Sequence, residues 1–152
     1  MPDTARLGID WGKARIGVAA SAAGTSFAFP VETVPAGAGE MARLAELVEE
    51  HRADVVYVGL PIDLRGKAAY AAEFVQGKAE ELAARVAPAQ LRMVDERLST
   101  ATASRTLGSV GKDSRSRRAI IDQAAAVEIL QTALDIESRT SLPAGEVIEG
   151  EE

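Results

Sequence analysis

The fold is decided by one stretch near the start of the chain, Arg6-Leu7-Gly8-Ile9-Asp10-Trp11-Gly12-Lys13-Ala14-Arg15-Ile16-Gly17-Val18-Ala19. Apolar residues alternate with small or polar ones on both sides of Gly12, which is the period of β-strands. The stretch therefore predicts two strands joined by a tight turn, and Gly12 permits that turn because it has no Cβ. Asp10 ends the first strand. A carboxylate there is costly to desolvate unless a cation or hydrogen-bond donors meet it, so Asp10 is either a turn residue or part of a site.

The composition is that of one globular domain of 152 residues. A hydrophobic fraction of 47% excludes extensive disorder, and the absence of cysteine excludes a disulfide framework and a thiolate metal site. The sequence has no apolar run of membrane-spanning length and no secretory leader, which predicts a soluble, cytoplasmic protein. We expect one domain over residues 1–142 and a disordered acidic tail over residues 143–152.

Hydrophobic periodicity along the rest of the chain predicts an α/β fold. A third strand over residues 26–34 contains Pro30, which has no amide proton and therefore belongs in an edge or bulged strand. Helices and strands then alternate: a helix from Glu40, a strand over 54–60, a helix from about Ala68, a strand over 91–96 and a helix over 114–138. These elements predict a mixed five-stranded sheet, three antiparallel strands followed by two parallel ones, flanked by helices.

Charge is distributed unevenly along the chain. The net charge is −6, which by itself disfavours a nucleic-acid-binding protein, yet residues 97–118 contain six cationic residues and one acid. A basic segment on an acidic body is typical of a local site for a polyanion, although a solvated charged surface gives the same pattern. Charge alone does not choose between these two interpretations.

Three acidic positions, far apart in the sequence, fall on predicted elements that can meet. Asp10 ends the first strand, Glu96 or its neighbour Asp95 ends the last strand, and Asp122 lies on the long helix. Ligands of open α/β sheets bind beyond the carboxyl ends of the parallel strands, so the strand-end acids share one rim. Neighbours on a strand point to opposite faces, and therefore only one of Asp95 and Glu96 should face a common site.

The long helix gives Asp122 a way to reach the same rim. Its face of the helix includes alanines, which allow close approach to a sheet, and two arginines; the set is Arg115, Arg118, Ala125, Ala126, Ile129 and Ala133. An ion pair between Asp122 and Arg118 would be the ordinary structural explanation of this acid. A functional explanation requires a cation, because clustered carboxylates repel one another.

Oxygen ligands without cysteine favour Mg²⁺ or Mn²⁺ as that cation. Such ions activate water and stabilise the leaving oxygen of a phosphodiester, and the adjoining arginines are suited to bind phosphate. Acids at the centre with a basic flank therefore favour a metal-dependent nuclease.

Four segments, in the same order along the chain, resemble the YqgF/RuvX family. They are residues 7–19 around Asp10, then Val58-Gly59-Leu60-Pro61, then Asp95-Glu96-Arg97-Leu98-Ser99-Thr100, and finally Asp122-Gln123-Ala124-Ala125-Ala126 with Ile129-Leu130-Gln131. The resemblance covers residues 6–135. It implies a ribonuclease-H-like fold and an activity described for the family as pre-16S rRNA nuclease and as Holliday-junction-resolvase-like.

The resemblance also implies roles for individual residues. Asp10, Glu96 and Asp122 would be the catalytic acids that bind Mg²⁺ or Mn²⁺, with Glu96 preferred over Asp95. Phosphate contacts would come from cationic residues near them: Lys13, Arg15, Arg97, Arg115 and Arg118. The implied partner is structured RNA (pre-16S rRNA) or branched DNA. We expect no membrane partner, and we expect the protein to be a monomer or a weak homodimer.

Three functional hypotheses follow from the sequence. The first is a metal-dependent endonuclease acting in 5′-end maturation of pre-16S rRNA and ribosome biogenesis, with a branched-DNA substrate as its alternative. The second is a non-catalytic nucleic-acid-binding module. The third is a phosphotransferase similar to actin or sugar kinases, which share an Asp-x-Gly hairpin. It ranks last because those proteins enclose a nucleotide between two such domains, and this chain supplies one.

Overall fold

The computed structural model describes residues 4–61, 68–95 and 114–148, without the side chains of residues 68–70 and 114–122. The elements in these ranges alternate between strands and helices: β1 (Ala5–Trp11), β2 (Arg15–Ser21), β3 (Phe29–Pro35), α1 (Glu40–Glu50), β4 (Ala53–Leu60), α2 (Ala68–Val86), β5 (Gln90–Asp95), α3 (Ser114–Thr140) and β6 (Glu146–Ile148). The predicted α/β class is confirmed. None of the helices in these ranges has the length and apolarity needed to cross a lipid bilayer.

The strands form one mixed sheet in the order β3-β2-β1-β4-β5-β6. The first three strands are antiparallel, β4 and β5 run parallel to β1, and β6 is antiparallel to β5. Pro30 lies in the edge strand β3, opposite Ala19, where the register with β2 shifts. The prediction of an edge or bulged strand is therefore confirmed. The apolar strand β4 lies inside the sheet, as expected for a strand that is covered on both faces.

The helices divide between the two faces of the sheet. One buried cluster joins Leu7, Ile9 and Trp11 of β1 to residues of α1 and α2. The other joins Tyr57 and Val94 to the alanine-rich side of α3. Successive residues of each strand therefore belong to different cores, which fixes the face on which any strand residue lies.

The sixth strand corrects two expectations, a five-stranded sheet and a disordered tail from residue 143. Ala144 is 2% exposed, and its amide donates a hydrogen bond of 3.2 Å to the Tyr57 hydroxyl. Arg92 donates to the carbonyls of Ala144 at 2.6 Å and Gly145 at 2.8 Å. Gly145 has φ +67°, and a Cβ there would collide with the carbonyl oxygen of Met93. Side chains from β4 and β5 thus order residues 144–148, whereas residues 149–152 lie outside the described part of the chain.

Tyr57 makes the stability of this fold change with pH in the alkaline range. Burial raises its pKa to about 12 from the ordinary value of 10.0, against the opposing effect of the Ala144 hydrogen bond. The unfolded chain ionises Tyr57 first, so the stability that the neutral phenol contributes is complete below pH 10 and is lost as the pH rises toward 12. Each unit of difference corresponds to about 1.4 kcal/mol.

We therefore expect Tyr57→Phe to lose about 1 kcal/mol at neutral pH, the value of one hydrogen bond. Between about pH 9 and pH 11.5 its free energy of unfolding should fall by about 2 kcal/mol less than that of the native protein. Urea unfolding at a series of pH values measures both quantities. Identical pH dependence of the two proteins would contradict the raised pKa of Tyr57.

Candidate functional site

The β1–β2 hairpin brings an acid and two cations to one rim of the sheet. Gly12 donates its amide to the carbonyl of Arg15 at 2.9 Å, and a Cβ on Gly12 would lie 2.6 Å from the same oxygen. Only glycine fits this turn, as the sequence predicted. Asp10 is half-buried one residue before the end of β1, Lys13 is exposed, and Arg15 is half-buried at the start of β2.

Asp10 lies on the face of the sheet that α3 covers. Ile9 and Trp11 belong to the core under α1 and α2, so Asp10 between them lies on the opposite face together with Gly8. A Cβ on Gly8 would be 2.6 Å from the Cβ of Leu130 and 3.1 Å from the carbonyl oxygen of Ala126. The helix therefore approaches the backbone of β1 closely, two residues before Asp10.

A row of paired residues connects Asp10 to α3 across three strands. Asp10 pairs with Gly17 of β2, and Gly17 pairs with Thr33 of β3. Gln123 of α3 donates its side-chain amide to the Thr33 hydroxyl at 3.0 Å. The row spans two strand spacings, about 10 Å, and its middle residue has no side chain. One polar contact thus places this turn of α3 level with Asp10.

The contacts of α3 with the sheet also place the backbone of Asp122. Near Gly8 the closest atoms of α3 belong to Leu130 and Ala126, whereas the contact in the row of Asp10 comes from Gln123, so α3 runs antiparallel to β1. Asp122 directly precedes Gln123, and its backbone therefore belongs to the turn of α3 that contacts this row. The side chain of Asp122 lies outside the described residues.

The end of β5 distinguishes the two candidates for the second strand acid. Val94 packs in the core under α3, and so the next residue, Asp95, falls on the α1 and α2 face. Asp95 also pairs with Leu60 at the end of β4. The structure therefore does not bring Asp95 to the face of Asp10. The preferred candidate Glu96 and its neighbour Arg97 lie outside the described residues.

The remaining predicted phosphate contacts are only partly described. Arg115 and Arg118 lie in the first turns of α3, and their side chains are outside the description. Their helix turns precede Asp122 along an element that runs antiparallel to β1, so they continue toward and beyond the rim.

The donor chemistry at this rim fits a hard divalent cation. Asp10 offers carboxylate oxygen, and the chain has no cysteine that would favour a softer metal. Within residues 4–61, 68–95 and 114–148, no three His, Cys, Asp or Glu side chains are grouped as a metal site. Glu96 and the Asp122 side chain lie outside these described residues. The predicted ligand set therefore stays a prediction.

Sequence reasoning missed the contact that places α3. Gln123 belongs to a segment that resembles the family, but its partner Thr33 is 90 residues away along the chain. Strand register alone puts Thr33 in the row of Asp10, and periodicity does not determine register between distant elements.

Comparisons with known proteins agree with this architecture. The family model RuvX, described as Holliday junction resolvase, matches residues 4–136. A pre-16S rRNA nuclease of Thermobifida fusca is 49% identical over 152 residues, which cover 95% of this chain and 96% of that protein. A protein of the same description from Cutibacterium acnes is 47% identical over 138 residues, 88% of this chain and 86% of the relative.

The solved structures that match identify the fold. RuvC of T. thermophilus, in a complex with a Holliday junction substrate, superposes with a TM-score of 0.60 at 17% identity over 95% of this chain and 99% of that chain. A structure of Thermus thermophilus RuvC gives a TM-score of 0.61 over 95% and 100%. The predicted ribonuclease-H-like fold is therefore confirmed. Because the family model spans most of the chain and the relatives are nearly half identical over most of their length, the chain belongs to the RuvX family.

Proposed function

We propose that this protein is a metal-dependent endonuclease that hydrolyses phosphodiester bonds in the 5′-end maturation of pre-16S rRNA, as part of ribosome biogenesis in the cytoplasm. The observation that carries the proposal is the row Asp10–Gly17–Thr33 with Gln123 above it. It supports a site in which the acid of α3 and the acid of β1 act together. The substrate follows from the names of the relatives from Thermobifida fusca and Cutibacterium acnes.

Asp10, Glu96 and Asp122 are the proposed ligands of Mg²⁺ or Mn²⁺. An ion held by these carboxylates supplies an activated water and stabilises the leaving oxygen of the phosphodiester. Glu96 is proposed over Asp95 because Val94 packs toward α3, so Asp95 falls on the opposite face of the sheet from Asp10. Clustered carboxylates repel one another and are costly to desolvate, and a bound cation would offset both costs.

The cations around the rim bind and orient the nucleic acid. Lys13 is exposed in the turn of the hairpin, and Arg15 is half-buried at the start of β2, both close in sequence to Asp10. Phosphate contacts position a nucleic acid without selecting its sequence. Arg97, Arg115 and Arg118 are proposed to extend this contact. Because the whole chain has a net charge of −6, binding depends on this local set of cations and should weaken steeply with salt.

The test compares two labelled substrates, a fragment containing the 5′ end of pre-16S rRNA and a four-way DNA junction. The native full-length chain is incubated with each substrate in Mg²⁺, in Mn²⁺ or in EDTA, and products are mapped to the nucleotide. We expect cleavage of the RNA with either metal and none in EDTA. Binding without cleavage under all conditions would support a non-catalytic module and contradict the proposal. Hydrolysis of ATP without cleavage would instead favour a phosphotransferase.

A DNA junction is the second candidate substrate, because the family description is Holliday junction resolvase. Symmetric resolution needs two active sites related by a two-fold axis, hence a dimer. We propose that the chain is a monomer or a weak homodimer. Paired symmetric cuts in the junction, together with a dimer in analytical ultracentrifugation, would favour the resolvase activity over RNA maturation.

A further inference from the structure

A buried carboxylate lies on the opposite face of the sheet from Asp10, behind the same strand end. Glu40 is the first residue of α1 and is 6% exposed. One of its oxygens accepts a hydrogen bond from the Trp11 indole at 3.2 Å. The other accepts from the Gly37 amide at 3.1 Å and from the Lys78 ammonium at 3.4 Å. A charge removed from water needs such donors, and β1, α2 and the turn before α1 supply them.

Helix capping explains only part of this arrangement. An acid in the first turn of a helix is favoured by the helix dipole, and the Gly37 contact belongs to that local role. Trp11 and Lys78 are different, because they are 29 and 38 residues from Glu40 and belong to β1 and α2. Glu40 therefore joins the end of β1 to both helices on this face. The Trp11 side chain that it holds is itself 6% exposed and directly follows Asp10.

We propose that Glu40 is a positioning residue for Asp10. By holding the Trp11 indole from behind the sheet, it fixes the backbone of the strand end, and Asp10 is the neighbouring residue on the front face. Binding sites of this kind require ligand atoms to be held within about 0.5 Å. The inference rests on the proposed function, in which Asp10 binds the metal.

Mn²⁺ binding to the full chain tests the proposal without measuring catalysis. The electron paramagnetic resonance signal of free Mn²⁺ gives the dissociation constant of each protein below its melting temperature. We expect Glu40→Gln to raise this constant about tenfold, in the range for residues that support metal ligands. Glu49→Gln is the matched control, since Glu49 is an exposed glutamate of the same helix, and its constant should equal that of the native protein.

Fluorescence gives an independent signature, because Trp11 is the only tryptophan. Excited indole carries more positive charge on its pyrrole nitrogen, so losing the negative charge of Glu40 should shift emission to shorter wavelength. Trp11→Phe keeps an aromatic ring but removes the N–H donor. We expect it to raise the Mn²⁺ dissociation constant as well, and it decides the question if Glu40→Gln does not fold.

Asp10→Asn completes the experiment and separates the two proposals. If it loses Mn²⁺ binding while Glu40→Gln and Trp11→Phe bind like the native protein, Glu40 is merely structural and only this inference is overturned. If Asp10→Asn itself binds Mn²⁺ with native affinity, the metal site at Asp10 is wrong and the inference falls with it. A raised constant in Glu40→Gln and Trp11→Phe, with no change in Glu49→Gln, supports the positioning role.

Discussion

Asp10→Asn is expected to reduce metal-dependent RNA cleavage by at least about 10³-fold. The amide keeps the volume of the side chain but removes the negative charge that holds a divalent cation. A metal contributes several kcal/mol of transition-state stabilisation, and about 1.4 kcal/mol corresponds to a tenfold change in rate. The single-turnover rate at saturating Mg²⁺, with the protein in excess over the pre-16S rRNA fragment and above its dissociation constant, measures the effect on the chemical step.

Asp54→Asn provides the control for this substitution. Asp54 is an exposed aspartate at the second position of β4, at the opposite end of the parallel strands from Asp10. It should cleave at the native rate and melt at a similar temperature. Retention of cleavage within about tenfold by Asp10→Asn would be incompatible with the proposed metal role, even if the protein still bound RNA.

The strand that carries Asp10 could be predicted because its signals are local. Alternating residues fix the faces of β1, and Gly12 marks the turn, so the sequence within a few residues determines that Asp10 ends a strand. The position of Asp122 depended on more distant information. Its helix was predictable from periodicity, but its level relative to Asp10 follows from contacts that α3 makes with Gly8 and Thr33.

The features that the sequence did not predict are held by distant partners. Residues 144–148 are too few to show a clear period and open an acidic tail, yet Arg92 and Tyr57 satisfy backbone groups of Ala144 and Gly145 and order the segment. Glu40 could be placed at the start of a helix, where an exposed acid is the ordinary expectation. Its burial results from Trp11 and Lys78, which converge on it from other elements. Local patterns do not encode such convergence.

A buried ion pair fixes α3 against β1 at the end of the sheet away from Asp10. The Arg6 and Glu137 side chains are only 10% and 9% exposed, and they approach to 3.1 Å. The guanidinium donates from Nη2 and also from Nε, at 3.3 Å to the second carboxylate oxygen. This geometry satisfies both charges, so removing one partner leaves the other charged, buried and unpaired.

Arg6→Met should therefore lower the free energy of unfolding by about 3–5 kcal/mol. Methionine preserves much of the apolar stem of arginine, which limits the loss of packing. Replacing both residues, as Arg6→Met with Glu137→Leu, should recover most of the lost stability because no charge then remains buried. Urea unfolding of the two single variants and the double variant measures these values and the coupling between the residues. A loss below about 1 kcal/mol in Arg6→Met would mean that the pair is solvated.

RNA cleavage separates the role of the ion pair in holding α3 from any role in the chemistry. Since the pair lies away from the rim, the double variant should recover RNA cleavage together with its stability.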